Sequence, residues 1–291
     1  LKKCRRQSFF FVIFFLSAAR KKKVRSVRKK KVKANNHKKD ITFAQTKEEN
    51  MYQEAINNYL NQHGHENINL KAVLFDMDGV LFNSMPNHAS SWHKVMERMG
   101  FGLSEEEAYM HEGRTGADTI NIISRRERGC DATDEEIKAI YAAKSEEFNK
   151  CPPAERMPGA FEVLQKIKAD GLTRMVVTGS GQVSLLERLN KNFPDIFCQE
   201  LMVTAFDIKF GKPNPDPYLM ALEKGGLKPN EAIVIENAPL GVQAGVAAGI
   251  FTIAVNTGPL PDQVLLDAGA NLLFHSMPEF NEAWETLKKA F

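Results

Sequence analysis

Tryptophan and cysteine are scarce in this chain, two and four in 291 residues. Cys4, Cys130, Cys151 and Cys198 stand far apart, with no Cys-x-x-Cys pair and no His-Cys cluster. That argues against a disulfide framework or a zinc site and suits a reducing compartment. Long apolar runs are missing too: none reaches the twenty or so residues that cross a bilayer, so no membrane partner is expected. The 43% hydrophobic content is enough for one sizeable α/β domain and a smaller one.

Acidic residues are nearly absent from one end. Residues 1–50 carry 17 Lys and Arg against 3 Asp and Glu, although the whole chain is only +3. Residues 51–291 hold 22 basic and 33 acidic groups, a net of −11. A nucleic-acid partner would therefore rest on the run RKKKVRSVRKKKVK at 20–33, and none is expected for the acidic body. That run can bury almost nothing and is expected to be disordered. The apolar stretch at 8–19, preceded by Lys2, Lys3, Arg5 and Arg6, imitates an export signal, but the basic run after it opposes export. The chain starts at Leu1, and Met51 opens the helix-like MYQEAINNYLNQHG. Residues 1–50 are therefore expected to be a basic extension from an over-extended gene start, and the location to be cytoplasmic.

What the chain does have is a strand that ends in two carboxylates. In Lys71-Ala72-Val73-Leu74-Phe75-Asp76-Met77-Asp78-Gly79-Val80, a mostly apolar run reads as a short strand buried on both faces. Asp76 and Asp78 follow at i and i+2. In an open parallel sheet the carboxyl ends of the strands form the ligand crevice, which places both for chemistry. An Asp-Gly turn accounts for the same residues more plainly, since turns favour them; three later stretches weigh against it.

From Met51 a helix is expected at 51–62 and the first strand at 71–75. Helical patterns follow at 88–99, 104–110, 116–128 and 134–149, with no convincing strand among them. Prolines in Cys151-Pro152-Pro153 and Met157-Pro158-Gly159 stiffen the return. A helix is read at 159–170. Strands then alternate with helices, at 173–178, 201–204, 232–235, 251–255 and 271–274 against 182–191, 215–224, 239–248 and 277–290. This alternation means a parallel sheet covered on both faces.

Three strand ends carry further polar residues. Met175-Val176-Val177-Thr178-Gly179-Ser180 ends in a hydroxyl beside small residues; a Thr in that place is as often a helix cap. In Phe210-Gly211-Lys212-Pro213-Asn214-Pro215-Asp216-Pro217, prolines and a glycine fix a lysine before a helix, and an ammonium so placed can neutralise both a nucleophile and a phosphate. Ala232-Ile233-Val234-Ile235-Glu236-Asn237 is a strand followed by oxygen donors.

With KAVLFDMDGVLF at 71–82, these stretches resemble the four motifs of the haloacid dehalogenase (HAD) superfamily of phosphohydrolases, in order and with family-like spacing over 71–255. The resemblance implies a Rossmannoid parallel-sheet core at 51–86 and 155–291, and an inserted helical cap at 87–154 that closes over the substrate. It implies that Asp76 attacks phosphorus and becomes an aspartyl-phosphate, that Asp78 is the general acid and base, and that Thr178, Gly179 and Lys212 hold the phosphoryl group. Two anions meet in that attack, which calls for Mg²⁺ as well as the lysine. Its expected ligands are Asp76, Asp78 through its backbone carbonyl, and Asn237 or Glu236. The commonest form of the fourth motif has Glu-Asp where this chain has Glu236-Asn237, so metal affinity should be weaker; Asn237 is favoured by position, with Glu236 nearby or bound through water.

Within the superfamily, DMDGVLFNSMPNHASSWHKVM at 76–96 and NAPLGVQAGVAAG at 237–249 resemble the β-phosphoglucomutase-like branch. His88 falls where a hinge histidine can contact Asp78, and Trp92 where the cap carries a tryptophan; an ordinary polar helix residue is the plainer account of His88. A mutase also binds a second phosphate. Here the cap loop is Glu112-Gly113-Arg114-Thr115-Gly116, with Gly116 at the arginine's usual place, Gly181 and Gln182 follow the second motif without a lysine, and Asn83 replaces the usual Asp. The expectation is a phosphatase acting on a small phosphorylated metabolite such as a sugar phosphate, as a monomer or weak homo-oligomer, with Arg114 contacting distal polar groups. The alternatives are a sugar phosphomutase, if Arg114 reaches the second phosphate, and a non-catalytic HAD-like binding module.

Overall fold

The structure, a computed structural model, describes residues 46–180 and 185–291. The chain divides into two units, 1–51 and 52–291. The described part of the first, residues 46–51, is helical and exposed. Residues 46–50 thus differ from the disorder expected of residues 1–50. The basic run at 20–33 and the expected export-like stretch lie outside the described residues.

In the second unit, α1 (52–63) presents Tyr52, Ile56 and Tyr59 to the core at helical spacing. Strand β1 (Ala72–Phe75) follows. Four helices come next: α2 (Met85–Arg98), α3 (Glu105–Met110), α4 (Gly116–Arg128) and α5 (Asp134–Lys150). Helix α2 starts three residues earlier than its periodicity predicts because Pro86 sits in its first turn, where a missing N–H costs nothing. Ser104, Thr115 and Thr133 cap the other three by accepting the amide of the third residue on, and Glu136 completes a capping box with Thr133. Val95, Met96, Leu103, Ile120, Ile123 and Ile140 give these helices an apolar core of their own.

The chain then alternates: α6 (Ala160–Ala169), β2 (Thr173–Val177), α7 (Leu185–Asn192), β3 (Met202–Val203), α8 (Asp216–Gly225), β4 (Ala232–Glu236), α9 (Pro239–Ala247), β5 (Phe251–Val255), α10 (Asp262–Asp267), β6 (Leu272–Phe274) and α11 (Met277–Ala290). The sequence pattern does not predict α10; six residues are too few to show a helical period. Residues 182–184, where the helix before β3 was expected to begin, lie outside the described residues, as do Gly181 and Gln182.

The six strands form one parallel sheet in the order β3-β2-β1-β4-β5-β6. Side chains of β1 alternate between two cores: Val73 and Phe75 pack with α1, α6 and α11, and Ala72 and Leu74 with α8 and α9. Strands β2 and β4 flank β1, and the chain runs outward on both sides, so the strand order reverses beside β1. Such a reversal opens a crevice at the carboxyl ends of the strands. Among the described residues no helix is long and apolar enough to cross a membrane.

Candidate active site

The register of the sheet decides which side chains meet. Phe75 pairs with Val176 on one side and Ile235 on the other, so the next residues, Asp76, Val177 and Glu236, end three adjacent strands at one level. The Asp76 amide donates to the Ile235 carbonyl at 3.0 Å, which carries the ladder up to the carboxylate.

After Asp76 the chain folds into a tight turn, with the Leu81 and Phe82 amides donating back to the Met77 carbonyl. Gly79 has φ of +86°, and a Cβ there would lie 2.0 Å from Nδ2 of Asn237, so two physical reasons require glycine. The turn presents Asp78 beside Asp76. Ser84 donates to Oδ1 of Asp78 at 2.5 Å, Nε2 of His88 stands 3.5 Å from the same oxygen, and the Arg188 guanidinium 3.9 Å away. Burial works against the Asp78 charge, yet His88, Ser84 and Arg188 outweigh it and hold the carboxyl well below the usual range. Lys144, from α5, donates to Nδ1 of His88 at 2.7 Å, which leaves the His88 proton on Nε2, facing Asp78. Burial and the Lys144 charge keep His88 below its ordinary pKa.

Lys212 fills the space beneath Asp76. Its ammonium donates to Oδ1 of Asp76 at 2.5 Å, to Oε1 of Glu236 at 2.5 Å and to the Val177 carbonyl at 3.1 Å. Burial alone would lower the lysine, but Asp76 and Glu236 more than reverse this and keep it protonated. Burial also pushes Asp76 up to about 8 against the pull of Lys212, helped by Glu236 and Asp78. One ammonium thus serves two buried carboxylates, Asp76 and Glu236, with the Asp78 carboxyl close by. Thr178, buried at the end of β2, accepts the Ser180 amide on its hydroxyl at 3.1 Å.

The loop after α3 comes down onto this floor. A Cβ on Gly179 would lie 3.3 Å from the Gly113 carbonyl, and one on Gly211 2.9 Å from the methyl of Thr115. Glu112, in the same loop, accepts from Nδ2 of Asn237 on both carboxylate oxygens at 3.1 Å. Burial, then Asp76, push the Glu112 carboxyl well above its ordinary value. A cavity of about 100 Å³ is lined by Asp76, Asp78, His88, Trp92, Glu112 and Arg114 among others. Nδ1 of His111 and Nε of Arg114 are buried without a partner.

The fold therefore brings Asp76, Asp78, Lys212, Glu236 and Asn237 together, sets Thr178 and Gly179 beside them, and lines the same cavity with His88, Trp92 and Arg114. Asn83 stays outside: it is exposed, and its amide donates to the Glu155 carbonyl. Sequence reasoning missed Glu112 and Lys144. Each had a signal: Glu112 adjoins the loop arginine already singled out, and Lys144 falls four residues from Ile140 and Phe148 on a face otherwise apolar.

A divalent cation fits this donor set. Among the described residues no three or more His, Cys, Asp and Glu side chains are arranged as a metal cage. Mg²⁺, however, takes amide and backbone carbonyl oxygens and keeps several waters. Oδ1 of Asn237 is such an oxygen, buried beside Gly79 with no hydrogen-bond partner, and an orphaned buried acceptor next to an excess of carboxylates matches a cation.

Residues 73–255 match the family model of haloacid dehalogenase-like hydrolases. Hexitol phosphatase A of Escherichia coli is 32% identical over 188 residues, which cover 64% of this chain and 83% of that protein. A phosphorylated carbohydrates phosphatase of Thermotoga maritima is 29% identical over 69% of this chain and 92% of its own. A solved structure from Bacteroides vulgatus, provisionally named a β-phosphoglucomutase, is 80% identical and superposes with a TM-score of 0.81 over 82% of this chain and 98% of that one. With one family model spanning the first strand through the fifth, this chain belongs to the haloacid dehalogenase-like hydrolases, in their β-phosphoglucomutase-like branch.

Proposed function

We propose that this chain is a Mg²⁺-dependent phosphatase that hydrolyses a small phosphorylated metabolite through a phosphoryl group carried on Asp76. The observation that carries this is the buried Asp76 carboxylate, held by Lys212 at 2.5 Å on the floor of the cavity, with a second carboxyl two residues on. The names of the E. coli and T. maritima relatives support phosphorylated sugars as the substrate class.

Asp76 reacts in its ionised form, which the Lys212 ammonium favours: one of its oxygens forms the bond to phosphorus as the bond to the leaving oxygen breaks, and Asp78 gives that oxygen its proton. Asp78 is ionised in the empty site; a phosphate anion entering beside it raises its pKa and supplies the protonated form. Asp78 then takes a proton from the water that attacks the phosphorylated Asp76. The Thr178 hydroxyl and the Gly179 backbone N–H bind equatorial oxygens, while Lys212 offsets their charge. Asp76, the Asp78 carbonyl and Asn237 would hold the metal, with Glu112 beside Asn237. When bound, Mg²⁺ supplies the further positive charge that lets two anions approach. We read helices α2–α5 as a cap whose loop at 111–115 excludes water.

A second reading, a sugar phosphomutase, draws on Arg114, whose unpartnered Nε lies on the cavity wall. The test is phosphate release by the full chain with Mg²⁺ and with EDTA. The cavity is small beside the several hundred Å³ of ordinary ligand sites, so the panel runs from inorganic diphosphate and triose phosphates to hexose phosphates and nucleotides. β-Glucose 1-phosphate is also assayed for glucose 6-phosphate. Metal-dependent release is the expected result. Isomerisation without release would replace the phosphatase with the mutase, and no turnover of either kind would leave a binding module.

A further inference from the structure

Gly116 opens α4 on the wall of the cavity and faces the ring of Tyr141, on α5. A Cβ at this position would fall 2.2 Å from Cδ2 and 2.3 Å from Cε2 of that ring, so no side chain fits. Gly116 does not have a positive φ, and the need for glycine here is one of space alone. The Tyr141 ring thus lies against bare backbone and takes the volume that a side chain at 116 would fill.

Although it lines a cavity and touches α4, Tyr141 is 42% exposed, so much of its surface is left open. Trp92, on α2, borders the same cavity; its ring centroid lies 6.4 Å from that of Tyr141, with the planes at 53°. Three helices of the insert therefore meet to leave two tilted aromatic faces in the site. Two rings at that angle cannot both lie flat on a planar base or flavin, whereas the puckered C–H surface of a hexose or hexitol can touch both.

Polar groups stand beside this wall. His111 and Arg114 line the same cavity, and Nδ1 of the one and Nε of the other are buried without a partner. A hydroxyl both donates and accepts, so it can satisfy either atom. Lys144 is already engaged: its ammonium donates to His88 and stands 5.5 Å from the centroid of the Trp92 ring. Aromatic surface with a few directed polar groups is the makeup of a small-molecule site, and for a carbohydrate it supplies both the face and the edge.

We propose that Trp92 and Tyr141 form the specificity wall of this site, against which the C–H face of a hexose or hexitol phosphate packs, and that Gly116 is kept small to seat the Tyr141 ring. This rests on the phosphatase reading and names what selects its substrate.

The experiment compares kcat/KM of the full chain with Mg²⁺ on ethyl phosphate, on FMN and on the better of glucose 6-phosphate and sorbitol 6-phosphate. The original chain is expected to prefer the carbohydrate at least tenfold over each of the other two. Tyr141→Ala is expected to raise KM for the carbohydrate about tenfold with kcat moved less than threefold, and to cut the preference over ethyl phosphate by a similar factor. Tyr141→Phe keeps the ring and should hold KM within threefold of the original. A preference over ethyl phosphate that survives Tyr141→Ala would overturn the proposal, as would FMN proving the better substrate. Should Tyr141→Ala not fold, Trp92→Leu decides by the same ratio. If the original chain hydrolyses none of these compounds, the phosphatase reading fails and binding decides the wall. The chain has two tryptophans, and Trp284 is fully buried in the core, so Trp92 fluorescence reports on the cavity. It should respond saturably to the carbohydrate phosphate, with affinity at least tenfold weaker in Tyr141→Ala; no saturable response, or equal affinity in the two proteins, would overturn the wall as well.

Discussion

The side-chain amide of Asn237 donates to both carboxylate oxygens of Glu112 at 3.1 Å. One residue follows the fourth strand of the sheet, the other follows the second helix of the insert, and the contact spans 125 positions of sequence. It brings a further carboxylate into a site that already holds Asp76, Asp78 and Glu236 around one lysine.

That crowding has a measurable sign. Burial, then Asp76, raise the Glu112 carboxyl well above its ordinary 4.5. A carboxyl raised on folding contributes its full stability below the unfolded value, and loses it as pH climbs through the folded value. Metal-free Glu112→Gln should therefore melt with the original chain at pH 4 and above it at pH 8. In a chain of this size each kcal/mol relieved is worth roughly 2–4 °C. Melting curves in EDTA at the two pH values check this.

Asp76→Asn should lower phosphate release on the order of 10⁴-fold or more, because an amide cannot take the phosphoryl group. The Lys212–Glu236 pair remains in that variant, so circular dichroism and melting should change little. Turnover within tenfold of the original would sink the covalent route.

Lys144→Met keeps an unbranched side chain beside Trp92 and Phe148 but removes the donor to His88. Without that donor the His88 proton is free to move to Nδ1, away from Asp78. Proton-transfer groups contribute about 10²–10⁴-fold when correctly set, and loss of one positioning contact should lower kcat roughly 10–100-fold. Steady-state kinetics beside a melting curve would separate this from unfolding.

Gly211→Ala tests how the insert seats on the core. The new methyl would lie 2.9 Å from Cγ2 of Thr115 and 3.2 Å from its amide. It should hold the loop at 111–115 away from the floor and raise KM about five- to tenfold. Adding Thr115→Ser removes the crowded methyl and keeps the capping hydroxyl, and should recover part of the loss.

Much of this was legible in the sequence because the chemistry sits at strand ends. Asp76, Thr178, Glu236 and Asn237 each close or follow an apolar run, and runs that short, alternating with helices, can only build a covered parallel sheet. Lys212 was legible for another reason: glycine and proline around it advertise a fixed turn. What escaped were contacts made across the insert. Nothing local separates Glu112 from its acidic neighbours on α3, or Lys144 from the exposed lysines of α5, until the packing of four helices turns one of each inward.

In a two-part enzyme of this plan one expects chemistry and selectivity to be separable, so that caps can be traded between relatives like heads on a common handle. Here the loop carrying Glu112 breaks that separation. A chimera with another relative's insert would change the fit for substrate and would also take away a carboxylate bonded to Asn237. Exchanging these helices for a new substrate would therefore have to keep, or replace in kind, the carboxylate that Glu112 sets against Asn237.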